Sequence, residues 1–215
     1  MSRESLDRAL IIGDGGQANE AAAYLRSYAN IEIDRLVDPD YIPEHSEGLI
    51  DINNDDETLR CIPVTAAIGA PAIRKKMVEK WNTGRYESII SRDAIIDSSA
   101  IVEEGSIIAP RTVITTDVHI GRHCIVNVSS TISHNTSIGD FSTISPGVHI
   151  GGNVIIGQGV FVGIGAAIIN GVRIADGVVV GAGAVVIEDI NTENSVWVGN
   201  PARVVKVNEG WLSEI

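Results

Sequence analysis

From Ile90 onward an aliphatic residue returns every six positions. Ile90, Ile96, Val102, Ile108, Ile114, Ile120, Val126, Ile132, Ile138, Ile144, Ile150, Ile156, Val162, Ile168, Ile174, Val180 and Val186 follow one another without a slip. Four residues beyond each step stands a small or β-branched residue, from Ala94, Ala100 and Ser106 through Cys124 to Val178 and Ala184. Glycine often follows the aliphatic, at Gly121, Gly139, Gly151, Gly157, Gly163 and Gly181, where it is expected to supply the positive φ of a sharp corner. A helix repeats at 3.6 residues and a half-buried strand at two. A period of six predicts a hexapeptide-repeat β-helix, one short strand and one corner per hexad. Three hexads close a triangular coil of about eighteen residues, so the run makes roughly five coils, each covering its neighbour. Nothing is inserted between Ile90 and Val186, so any pocket must form between packed chains or with the flanking segments.

Residues 1–84 lack this beat. The run Ala9-Leu10-Ile11-Ile12 reads as a short buried strand, followed by GDGGQA and a helical stretch, NEAAAYLRSY. EIDRLVDPD gives a second strand ending at Asp38, and Val64 to Ile68 a third, broken by Gly69. Pro71 opens a helix over AIRKKMVEKW, a position that suits proline. The pattern is β-α-β followed by β-α, half of a doubly wound domain. The expected division is an α/β module over 1–84, the β-helix over 85–190 and a capping segment over 191–215.

Composition supports this picture. Of 215 residues, 44% are hydrophobic but only 4% aromatic, so the core must be built from Ile, Val and Ala, which favour strands. The formal net charge of -12 argues against a nucleic-acid partner, which requires a basic surface. An anionic ligand would have to be held by a few local cations or backbone N–H groups. Cys61 and Cys124 are too few for a disulfide framework and have no metal-type spacing. The opening MSRESLDRALIIGDGG resembles neither a signal peptide nor a membrane span, so a cytoplasmic location is expected.

Gly13-Asp14-Gly15-Gly16-Gln17-Ala18 fits G-x-G-x-x-A between a strand and a helix. Such a turn presents N–H groups and a helix N-terminus to an anion. Asp38, about twenty residues on, stands where an acid commonly binds ribose. The module is half the size of a dinucleotide site, so a nucleoside diphosphate fits it better. Arg74 or Lys75 is expected near phosphate, although RKK on a helix also suits a solvated face.

A half-Rossmann module feeding a hexapeptide β-helix, with GDGGQA, VDPD, AIGAPAIRKK, VNVSSTISHNTSIGDF, SPGVHIGGNVIIGQGVFVG and VGNPAR, resembles a bacterial family of nucleotide-sugar acyltransferases. That family includes UDP-bacillosamine-pathway N-acetyltransferases, perosamine N-acetyltransferases and sialic-acid O-acetyltransferases. The resemblance spans nearly the whole chain. It implies a left-handed parallel β-helix and a homotrimer with sites between neighbouring prisms. It also implies acetyl-CoA along the coils, no metal, and a nucleotide-linked amino sugar, UDP-linked by preference, on the front module. By the same resemblance His134 is the general base. Gly13, Gly15, Gly16, Gln17, Asp38, Gly69, Arg74 and Asn127 are substrate contacts. Gly152, Ile164 and Ala182 (a glycine in the family) line the cofactor groove, and Arg203 or Lys206 meets its phosphates. Two positions depart from the family pattern: Asn135 replaces the acid after the base, and Gln17 stands where some members carry histidine. Asparagine can orient an imidazole without stabilising its charged form as a carboxylate would.

The chemistry these residues suit is direct transfer. A histidine accepts the proton as an amine attacks the thioester, and backbone N–H groups of a glycine-rich coil can hold the oxyanion. Other readings stand beside it. They are O-acetylation of sialic acid or another sugar, a γ-type carbonic anhydrase using zinc histidines on the same fold, and a nucleotide-binding scaffold in which His134 is structural. His119 and His149 each precede a core isoleucine, His123 lies three beyond one, and Cys124 falls on the small track as a core residue.

Overall fold

The structure is a computed structural model that describes residues 8–27, 30–41, 48–82 and 84–212; His45 lies outside them. The front module is a five-stranded parallel sheet of order β3-β2-β1-β4-β5, made of β1 (Arg8–Ile12), β2 (Glu32–Val37), β3 (Leu49–Asp51), β4 (Pro63–Ala66) and β5 (Arg85–Tyr86). Helices α1 (Gly16–Arg26), α2 (Glu57–Arg60) and α3 (Pro71–Trp81) connect it. Strand β3 and helix α2 add to the elements expected from the sequence. Strand β5 carries the sheet two residues past the expected boundary, because Pro63 and Val64 pair with Arg85 and Tyr86. The order reverses direction between β1 and β4, so the turns after these two strands flank a crevice, the usual ligand position of such sheets.

Seventeen two-residue strands follow, from β6 (Ile89–Ile90) to β22 (Val185–Val186). From β6 to the strand Ala167–Ile168, each pairs in parallel with the strand eighteen residues on, as in Val113↔Thr131 and Ile132↔Ile150. They form the three faces of a left-handed β-helix. Thr131–Ile132 and His149–Ile150 belong to the first face, His119–Ile120 and Ser137–Ile138 to the second, and Ile125–Val126 and Thr143–Ile144 to the third. The six-beat aliphatics from Ile108 to Val186 are inside, at 3% exposure or less, in one continuous core. Each such side chain contributes roughly 1.5–3 kcal/mol by burial. The small track also points inward, and its hydroxyls are satisfied. Ser106, Thr112, Ser130, Thr136 and Ser142 each donate to a carbonyl fifteen residues ahead, at 2.8–3.2 Å. Cys124 is fully buried among them, and its thiol lies 3.2 Å from the Gly139 carbonyl.

The corners correct one expectation. Positive φ falls on every sixth residue from Gly105 to Gly183, three beyond the core step, and includes Arg111, His123, Asn135 and Phe141. The glycines that directly follow the aliphatics are not among these residues. They are required for another reason: a Cβ on Gly139 would stand 2.7 Å from the Gly157 carbonyl carbon, and one on Gly163 2.6 Å from the Ala182 nitrogen. The close approach of successive coils, not the corner's dihedral, selects them.

Two contacts lock the module to the coil. Ala9, Ile11, Ala18 and Ala22 of the module share a core with Ile89, Ile107 and Ile125 on the third face. The C-terminal segment forms β23 (Ser195–Val198), parallel to the strand Val179–Val180, and β24 (Arg203–Val207), antiparallel to β23. The chain then crosses to α3. Trp211 rests on Gly159 and Gly177, the Lys75 ammonium sits 4.5 Å from its ring centroid, and the Leu212 carbonyl accepts from the Ala72 N–H.

His123 lies in this joint, 5% exposed, edge-on to Tyr86 at 4.6 Å and stacked on Phe141 at 5.0 Å. Its Nδ1 is buried without a hydrogen-bond partner. Burial, then the charges of Arg74 and Arg122, push its pKa down to about 4 from an ordinary 6.5. The unfolded chain therefore binds a proton between these values that the folded chain refuses, and stability falls as pH drops from about 6.5 toward 4, by on the order of 3 kcal/mol. His123→Phe is expected to flatten that acid limb. Urea unfolding at pH 7 and pH 4.5 checks it, and an unchanged pH dependence would show that other groups carry it.

Candidate active site

The first glycine turn is built to receive an anion. Gly13 has φ +116°, and its N–H donates to the Leu36 carbonyl at 2.8 Å. Gly15 caps α1 without a side-chain bond, and no acid occupies the first turn. Nothing stands within 4 Å of where a Cβ on Gly15 or Gly16 would lie. The first amides of α1 are thus uncapped and can be approached closely, the condition for a phosphate at a helix N-terminus. Gln17 is half-buried beside them, and its amide nitrogen is enclosed without a partner.

Two other residues expected to contact substrate are committed elsewhere. Asp38 is 3% exposed; one oxygen accepts from Lys80 at 2.7 Å and the other from the Asp40 N–H at 3.1 Å. Burial alone would raise its pKa, but Lys80 and the Asp40 amide outweigh that and hold it below the usual carboxylate range. Asp38 therefore ties the end of β2 to α3, and its burial rather than a full set of acceptors keeps it from an incoming ribose. Arg74 is fully buried. Its Nε donates to the His123 carbonyl at 2.8 Å, and Nη1 to those of Ile68 and, at 3.1 Å, Gly69. Nη2 reaches the carbonyls of Phe141 and Ser142 and the Thr143 hydroxyl. Neither a phosphate nor solvent can reach this guanidinium. The Gly69 carbonyl is likewise taken, by Arg74 and by Thr143 at 2.8 Å.

His134 stands on the corner after the strand Thr131–Ile132, exposed, just before the left-handed residue Asn135 (φ +60°). Asparagine tolerates that conformation better than most side chains, so the repeat itself accounts for Asn135. Its side-chain oxygen lies 2.9 Å from His134 Nδ1. An amide oxygen only accepts, so in the neutral ring Nδ1 carries the proton and Nε2 presents its lone pair. The imidazole lies over Gly152 of the next coil, where a Cβ would stand 2.6 Å from both Cε1 and Nε2. Gly152 thus makes room for the histidine. Gly152→Ala is expected to leave stability within about 1 kcal/mol, since the exposed ring can swing away. Turnover should fall roughly tenfold to a hundredfold as Nε2 leaves its place. Paired melting and rate measurements separate the two effects, and full activity would show that the ring position is irrelevant.

Asn127, buried at the corner before that strand, passes its backbone N–H to the Ile144 carbonyl at 2.8 Å. Ile164 (58% exposed) and Ala182 occupy equivalent corners of two successive coils, joined by the Gly183 N–H to Ile164 carbonyl bond at 2.8 Å. Arg203 is exposed and bonded to Glu188 at 3.0 Å and to the Ala202 carbonyl. These corners and Arg203 border the C-terminal half of the first face, whereas Arg74 and Asp38 lie in the module and its joint.

No motif of the sequence assigns a role to His149. Its Nδ1 lies 2.9 Å from the hydroxyl of Thr131, one coil below on the same face, in the strand that leads into the His134 corner. The signal for it was positional: the residue just before each core aliphatic faces outward.

Known proteins share this architecture. A family model described as bacterial transferase hexapeptide (six repeats) matches residues 129–163, the stretch that holds His134, His149 and Gly152. The structure of PerB from Caulobacter crescentus, solved with CoA and GDP-perosamine, superposes with a TM-score of 0.83 at 26% identity, over 92% of this chain and 97% of that one. The acetyltransferase domain of PglB from Neisseria gonorrhoeae FA1090, solved with acetyl coenzyme A, gives 0.79 at 28% identity over 93% and 99%. WeeI from Acinetobacter baumannii AYE gives 0.78 at 25% over 92% and 100%. The acyltransferase group that the motifs resemble is the one these solved neighbours come from. Among the described residues no helix is long and apolar enough to cross a membrane.

Proposed function

We propose that this chain is an acyltransferase that moves the acetyl group of acetyl-CoA onto the 4-amino group of a nucleotide-linked 4-amino-4,6-dideoxy sugar. The observation that carries the reading is the paired geometry of His134: Nδ1 held by Asn135, the ring seated on Gly152, and Nε2 left basic at an exposed corner. Its end-to-end likeness to a GDP-perosamine N-acetyltransferase solved with CoA and GDP-perosamine, and to an acetyltransferase domain solved with acetyl coenzyme A, supports the same chemistry.

In the step proposed, the amine nitrogen attacks the thioester carbonyl carbon while His134 Nε2 takes its proton. The tetrahedral oxyanion collapses, the carbon–sulfur bond breaks, and the CoA thiolate leaves, recovering the proton from the imidazolium. The uncapped amides of Gly16 and Gln17 would hold the nucleotide's phosphates, with the Gln17 amide as a donor to substrate. Gly152, Ile164 and Ala182 would line the path of CoA, with Arg203 or Lys206 at its phosphates. Exposed aliphatics on the outer faces, Ile95 at 66%, Ile101 at 58% and Ile155 at 40%, suit packing between copies in a homotrimer.

A panel of UDP-, dTDP- and GDP-linked 4-amino-4,6-dideoxy sugars, run beside sialic acid with acetyl-CoA, tests the reading. The expected result is turnover of an amino sugar, the UDP-linked one foremost. Transfer to the hydroxyl substrate alone would overturn it.

A further inference from the structure

Two imidazoles, His149 on the first face and His134 at the corner where that face ends, have chemically different partners. His134 gives its Nδ1 proton to an amide oxygen, which leaves Nε2 as a base. His149 sets Nδ1 against the Thr131 hydroxyl at 2.9 Å. A hydroxyl can donate or accept; with Thr131 donating, the proton of a neutral His149 sits on Nε2, a hydrogen-bond donor on an exposed side chain.

The register puts the two residues on adjacent coils. Thr131 pairs with His149 and Ile132 with Ile150, and the Asn153 N–H bonds the His134 carbonyl. His134 leans up onto Gly152 of the coil that begins with His149, while His149 leans down to Thr131 of the coil that holds His134. His149 opens a two-residue strand and Gly152 stands in the turn that follows it, so their α-carbons are at most about 10 Å apart. That span accommodates a tetrahedral centre with a base on one side and a donor on the other. The rest of the outward column on this face, Ile95, Val113, Ala167 and Val185, is apolar. The only polar pair in it stands at the two coils that carry His134 and Gly152. Packing within the chain offers no reason for an exposed imidazole there.

We infer that His149 is a catalytic residue, whose Nε2–H donates to the thioester carbonyl oxygen as it becomes the oxyanion. This rests on the acyl-transfer reading above. A donor of this kind acts on the transition state, so its removal lowers kcat while leaving substrate affinity nearly unchanged. His149→Leu is expected to lose about a hundredfold in kcat, with both KM values within about threefold. His149→Gln, which keeps a donor, recovers part of the loss, and Thr131→Val, which frees the tautomer, gives an intermediate one.

A second readout does not depend on an acceptor. The carbonyl stretch of bound acetyl-CoA, labelled with carbon-13 at that carbon and read by difference infrared spectroscopy, should lie at lower frequency in the wild type than in His149→Leu. If the wild type binds no acetyl-CoA, the acyl-transfer reading falls and this inference with it. If acetyl-CoA binds and the band and kcat are the same in both proteins, this inference alone is overturned.

Discussion

Replacing His134 with alanine is expected to lower kcat at least about a hundredfold, the lower range of general-base help, without loss of fold or CoA binding. The argument is structural. The imidazole is exposed and fills neither inward track of the repeat, so its removal opens no cavity. What is lost is the one basic nitrogen fixed at that corner by Asn135. Transfer rates with saturating acetyl-CoA, beside a binding titration with CoA, check both halves. Near-normal turnover would take His134 out of the reaction and leave the amine to lose its proton before binding.

The largest effect on stability should come from Arg74. Arg74→Met keeps most of the volume but withdraws the donors that six oxygens on the module and the coil now share. Burial pulls the guanidinium's pKa down only to about 10, so it is a buried cation at neutral pH. Its charge is spread over carbonyl dipoles, with no carboxylate in hydrogen-bond contact among the described residues. Stranding those acceptors should cost at least about 3 kcal/mol, and Arg74→Lys should recover little, since a single ammonium cannot span the fork. Chemical denaturation measures this. A variant that unfolds like the wild type but shows a raised KM for nucleotide sugar would instead return Arg74 to phosphate binding.

These two residues show where sequence was informative and where it was not. His134 stood out because the six-beat assigns every inward position and leaves it unassigned. Arg74 falls in an RKK run that suits a solvated face, because most of its partners come from residues about fifty to seventy positions away. Asp38 matched the ribose-binding position by spacing, but the register of α3 brings Lys80 against it. The glycines after each aliphatic were recognisable as necessary, yet for the wrong reason, since inter-coil distance cannot be read from one strand. His149 was passed over because its meaning depends on Thr131, eighteen residues away and one coil below.

By itself, the sequence determined the coil: its period, register, inward tracks and the α/β module before it. A solenoid buries each residue against its own repeat neighbours, so a local rule, reiterated, defines the whole core. Only the tertiary structure decided the rest: which position of each corner takes the left-handed residue, what Arg74 and Asp38 bind, and that two histidines on adjacent coils have different partners. Those facts arise where one coil or module meets another, and a side chain's partner there is set by the docking of distant segments.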